Sequence, residues 1–126
     1  MRGGFMCRRG DIYFVNFGNE GNGCKQSGIR PAVVVSNNCA NKHSPVITVV
    51  PLTSKTYKKR FLPTHVFIPR ESIKGLTRNS LALAEQVESL DKKNLLEYKG
   101  CVTDQKIMVA ITLALQIQIG AIEQYN

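Results

Sequence analysis

Residues 32–52 read AVVVSNNCANKHSPVITVVPL. Two short β-branched runs, 32–36 (AVVVS) and 46–52 (VITVVPL), flank a polar connection at 37–45, and each run has the length and composition of a strand. Upstream, residues 11–17 (DIYFVNF) are β-branched and aromatic on both faces, as a strand inside a small barrel is. Residues 18–27 (GNEGNGCKQS) carry three glycines and two asparagines with little apolar content, and read as a mobile loop. Downstream, 62–68 is a fourth strand and 80–87 (SLALAEQV) a fifth, although the Ala and Leu content of the latter also suits a helix.

Beyond residue 90 the periodicity changes. Asp91 is placed to cap a short helix running to about Tyr98, and Asp104 to cap a longer one ending near Gly120. The second is apolar nearly all round, from Ile107 through Ile111 and Leu115 to Ile119, so it needs cover on more than one side: the sheet supplies one, and a second subunit is a natural source of another. Five short strands in turn-rich sequence followed by helices make an α+β class with a small, strongly bent sheet.

The chain of 126 residues, 43% hydrophobic, is long enough for one core and too short for two, so residues 1–126 are expected to be a single domain with 1–9 flexible. Residues 1–10 mix Arg2, Arg8 and Arg9 with glycines and lack a signal peptide's apolar stretch, and residues 107–119 fall short of the roughly 20 residues that span a bilayer. A cytoplasmic protein without a membrane segment is expected. Cys7, Cys24, Cys39 and Cys101 are far apart and read as separate thiols. With only His43 and His65 beside them, and no pair at ligand spacing, no metal and no cofactor are expected.

The net charge of +8 is concentrated. Residues 21–70 contain no Asp or Glu but eight cations, Lys25, Arg30, Lys42, Lys55, Lys58, Lys59, Arg60 and Arg70, leaving nine basic residues elsewhere against all nine acidic ones. A one-signed segment is how a polyanion-binding face is built, and nucleic acid is the leading partner.

Several segments, in this order, resemble the MazF/PemK (Kid, EndoA) toxin family: Arg9-Gly-Asp-Ile-Tyr13, Gly28-Ile-Arg-Pro-Ala-Val-Val-Val35, 41–45 (NKHSP), 49–54 (VVPLTS), 62–66 (LPTHV), Glu85-Gln-Val87 with Asp91-Lys92, and Ala114-Leu-Gln-Ile117. The resemblance implies an SH3-like β-barrel (MazF/PemK/CcdB-like) with a C-terminal helix, a homodimer, and a toxin of a type II toxin-antitoxin system. That toxin would be a metal-independent endoribonuclease cutting single-stranded mRNA at short sequence motifs, leaving 2′,3′-cyclic phosphate and 5′-OH ends. A cognate acidic antitoxin blocking the RNA groove, with DNA binding in the antitoxin complex, is also implied. The glycine-rich N-terminal extension and the 18–27 loop depart from the family pattern, which bears on the recognised motif more than on the chemistry.

Metal-free RNA cleavage uses the substrate's own 2′-OH as nucleophile, so the enzyme must move protons and stabilise charge on the crowded phosphate. By the resemblance Arg30 and Thr53 are the catalytic pair. Arg30 offers a fork of donors with its backbone held extended by Pro31, and Thr53 a hydroxyl donor at the end of a strand. His43 and His65 are candidate acid or base groups, each with solvation or packing as the plainer use. Gln86 resembles an RNA-contacting position, Lys58, Lys59 and Arg60 suit phosphates, and Phe17 is either a stacking platform or part of the core. Two other readings compete: a CcdB-like toxin that binds a protein such as DNA gyrase, and a non-catalytic RNA-binding module.

Overall fold

A computed structural model describes residues 6–18, 27–56 and 62–123. Two of the expected strands form the centre of the molecule: β2 (Ile29–Val34) pairs antiparallel with β3 (Val46–Thr53) through Ala32–Pro51, Val33–Val50 and Val34–Val49. β1 (Asp11–Asn16) flanks β2 on its other edge. The remaining strands are β4 (His65–Ile68), β5 (Ser80–Leu83), β6 (Glu88–Asp91) and β7 (Leu95–Cys101). Between β2 and β3 lies a short helix, α1 (Asn38–His43), where only a polar connection was expected. Asn37 caps it, its side chain accepting from the Ala40 amide.

Among the described residues all seven strands join one antiparallel sheet in the order β4-β5-β3-β2-β1-β7, with β6 alongside the first half of β3. The small barrel that was expected is therefore a bent, open sheet. β3 changes partner along its length: residues 46–49 pair with β6, and Leu52 and Thr53 pair with β5. The change falls at Val50 and Pro51, and proline, with no N–H to give, is the residue least able to carry a ladder across such a junction.

The valine runs are apolar throughout because both of their faces are buried. Ile12, Val33, Val50 and Leu52 join one cluster, with Ile68, Ala82, Ile107 and Ile111, while Tyr13, Val15, Ala32, Val34, Ile47 and Val49 join another with Cys7 and Leu95. Strand alternation divides neighbouring residues between the two faces. The first cluster is closed by the helix α2 (Gln105–Gln118), whose N-cap Asp104 accepts from the Lys106 amide and which buries Ile107, Met108, Ile111 and Ala114. Val109 and Leu113, one turn apart, stay exposed, so the sheet covers one side of the helix and leaves the other open.

The expected helix at 91–98 is corrected. Asp91 does cap a turn, accepting from the Lys93 amide at 3.0 Å, but that turn is a single 3-10 turn at Lys92–Asn94. Leu95–Cys101 then runs as a strand against β1, with Leu95 opposite Val15 and Tyr98 opposite Tyr13, and ladder bonding overrides the local helical pattern. The strand expected at 80–87 likewise ends at Leu83 in a 3-10 turn, Ala84–Gln86, before β6 begins. Near the N-terminus, within the stretch expected to be flexible, Cys7 is buried. The Arg9 guanidinium donates to the Val35 carbonyl and to Thr112 Oγ1 on α2, and its amide donates to Asn38 Oδ1. Lys58, Lys59, Arg60, Cys24 and most of the 18–27 loop lie outside the described residues.

Candidate functional site

Arg30 stands near the start of β2 and Thr53 at the end of β3. Each lies two residues past the last β2–β3 pair, Ala32–Pro51: Arg30 pairs with Val15 of β1 and Thr53 with Leu81 of β5. Both line one open cavity of about 180 Å³. Arg30 is exposed and its Nε donates to the Ser27 carbonyl at 3.1 Å, which steadies the arm while leaving its two terminal nitrogens for an anion. Thr53 is 9% exposed, and its Oγ1 accepts from the Lys55 amide at 3.2 Å, leaving its O–H to donate.

The rest of the wall comes from places that sequence reasoning did not single out. Thr77 and Arg78 arrive from the β4–β5 connection, Ser80 from the start of β5, and Lys99 and Phe14 from β7 and β1. The Lys99 ammonium lies 5.2 Å from the centre of the Phe14 ring, a cation–π approach. Arg30, Arg78 and Lys99 thus share the lining with hydroxyls of Thr53, Ser54, Thr77 and Ser80, and among the described residues that lining holds no carboxylate and no histidine. Such a wall suits an anion rather than a cation or an apolar ligand.

Two glycines hold the wall together. Gly75, at φ +99°, lies so close to β7 that a Cβ on it would stand 2.3 Å from the Lys99 carbonyl oxygen. A Cβ on Gly100 would stand 2.6 Å from the Lys74 carbonyl oxygen. Only glycine allows this backbone approach, and it seats the 76–78 segment beside Lys99. Arg78 and Lys99 escaped the charge argument because both fall outside the acid-free 21–70 window. The glycines at 75 and 100 were the available signal for them.

The other candidates lie elsewhere. His43 is exposed at the end of α1. The His65 side chain is 1% exposed, its Nε2 2.8 Å from Glu85 Oε2, and Thr64 donates to the other Glu85 oxygen at 3.0 Å. That partly buried cluster ties β4 to the turn after β5, away from the cavity lining. Gln86 is half-buried in the same turn. Phe17 is half-buried and packs against the second core cluster, and its amide donates to the Gly28 carbonyl at 2.9 Å. Among the described residues no group of three or more His, Cys, Asp or Glu side chains is placed to hold a metal. No helix among them is long and apolar enough to cross a membrane.

A bent antiparallel sheet closed on one face by a C-terminal helix, with a cavity lined by cations and hydroxyls beside its central strands, defines the class as a small α+β protein. A family model described as PemK-like, MazF-like toxin of type II toxin-antitoxin system matches residues 8–119. The chain belongs to that family. Among solved structures, an endoribonuclease from a Mycobacterial species superposes with a TM-score of 0.70 at 27% identity, covering 91% of this chain and 92% of the other. An endoribonuclease in complex with its cognate antitoxin, also Mycobacterial, gives 0.69 at 28% identity over 95% and 99% of the two chains. The MazF of Deinococcus radiodurans gives 0.72 at 22% identity over 92% and 98%, a likeness of fold.

Proposed function

We propose that this toxin is a metal-independent endoribonuclease that cleaves single-stranded mRNA at a short sequence motif, leaving 2′,3′-cyclic phosphate and 5′-OH ends. The observation that carries the reading is the meeting of Arg30 and Thr53 in one cavity that, among the described residues, is walled by three cations and no carboxylate. In this reading the scissile phosphate sits between the Arg30 guanidinium and the Thr53 hydroxyl. Both donate to its non-bridging oxygens as the 2′-oxygen, its proton released to solvent, attacks, the phosphorus becomes five-coordinate and the P–O5′ bond breaks. Requiring the 2′-OH spares DNA. Lys99 is the lining group best suited to give a proton to the leaving 5′-oxygen, because an ammonium releases one more readily than a guanidinium does. The reading keeps Gln86 and the cations Lys58, Lys59 and Arg60 as RNA contacts.

The same reading takes the protein as cytoplasmic and dimeric, with the exposed Val109 and Leu113 on α2 in keeping with a second subunit. It gives the protein an acidic antitoxin that competes with RNA for the cationic wall. The similarity to a Mycobacterial endoribonuclease solved in complex with its cognate antitoxin supports such a partner.

The test is incubation of a long single-stranded RNA with the wild type and with Arg30→Ala in EDTA. The wild type yields defined fragments ending in 2′,3′-cyclic phosphate, and the variant slows cleavage by about 10²–10³, the cost of one lost donor to a charged transition state. RNA that is bound but left intact by the wild type would replace this reading with a non-catalytic binding module.

A further inference from the structure

Phe67 is the third residue of β4, between Val66, which packs on the core, and the fully buried Ile68. Alternation turns its ring outward, and it is 51% exposed. A single exposed aromatic is ordinary. This one, however, lies in a surface depression of about 600 Å³ whose walls include Arg70, Glu71, Thr77, Arg78 and Asn79. Thr77 and Arg78 also line the Arg30–Thr53 cavity, so one stretch of chain forms a wall of both. Local bonds brace the depression: the Arg70 amide donates to Asn79 Oδ1 at 2.9 Å, Ser72 Oγ to the Pro69 carbonyl at 2.6 Å, and Ser80 Oγ to the Arg78 carbonyl at 3.2 Å.

We propose that this depression is a second RNA subsite, which takes a nucleotide flanking the scissile phosphate with its base stacked on Phe67. The proposal rests on the single-stranded RNA reading above. Arg78 bridges the two sites and Arg70 holds the phosphate beyond. Glu71 repels an anion, which leaves the neutral base, not a phosphate, as the group over the ring. Base stacking on an aromatic tolerates any sequence, so the subsite adds affinity and register, and discrimination is left to groups nearer the cleaved bond.

The experiment uses the full chain and labelled 12-nucleotide RNAs containing one mapped cleavage site, with a single abasic position moved through the flanking nucleotides. Phe67→Ala is expected to raise KM about tenfold while kcat stays within twofold, and Phe67→Tyr to match the wild type. One abasic position should raise the wild-type KM equally and add nothing to Phe67→Ala. Phe67→Leu keeps the apolar bulk without the ring and carries the same test should the alanine variant fail to fold. An unchanged KM, or additive abasic and Phe67 effects, overturns the subsite while leaving the nuclease intact. If the wild type binds RNA without cutting it, fluorescence anisotropy on a mixed-sequence 12-nucleotide RNA reads the same comparison: a tenfold weaker Kd for Phe67→Ala keeps the subsite, and equal Kd values remove it. Absence of any RNA binding removes both proposals. A fall in molecular mass on Phe67→Ala, with RNA affinity unchanged, makes Phe67 a subunit contact and ends this one.

Discussion

Arg30 is exposed and bonds through Nε to a loop carbonyl, so its contribution to folding is small. Arg30→Ala should therefore shift unfolding free energy by under about 0.5 kcal/mol while removing most of the activity, a contrast read by thermal melting beside a cleavage assay. A melting temperature that fell with the activity would make Arg30 a structural residue. His65 shows the opposite arrangement: buried against Glu85, it is placed for holding β4 and the 84–86 turn together, and the cavity wall does without it. Sequence alone offered the two histidines as candidate proton carriers because imidazole chemistry is convenient. Whether a side chain reaches a cavity depends on strand register, which single-residue chemistry does not encode.

Among the elements, the Gly75–Lys99 and Gly100–Lys74 approaches are the most exacting contact described. Gly75→Ala places a methyl 2.3 Å from a backbone oxygen at a φ of +99°, so the β4–β5 connection must move away from β7. The expected cost is about 1–3 kcal/mol from backbone strain alone, measured by urea unfolding, with cleavage reduced further because Arg78 and Lys99 separate. Unchanged stability and activity would show that the connection adapts without consequence. α2 could be read from its cap and its apolar run, and Asp104 is its N-cap as expected. β7 could not. Residues 91–98 carry a valid capping aspartate and good helix formers, and only the non-local partners Tyr13 and Val15 decide that the chain extends.

Over the whole molecule, the acid-free window and the strand pattern hold the α+β class, the central strands, and Arg30 and Arg70 among the cations that line the two depressions. They missed Arg78 and Lys99, since a window of like charge along the chain records neighbours in sequence, whereas the cavity gathers cations from β2, the β4–β5 connection and β7. The openness of the sheet was hidden as well: no local signal says that β3 shares one edge between β5 and β6. RNA affinity of the wild type should weaken steeply with salt, and Arg78→Ala should reduce the slope of log Kd against log salt by about 0.7, the share of one phosphate contact on a single strand. A slope unchanged in that variant would mean that Arg78 faces no phosphate.

The glycine-to-carbonyl approaches also bear on timing. A wall whose halves meet backbone to backbone leaves no room for a hinge at that contact, so on the proposed function an RNA strand meets this side of the pocket already formed. Stopped-flow association should follow a single exponential whose rate climbs in proportion to RNA concentration without levelling off, the mark of simple capture rather than of a shape change that follows the encounter.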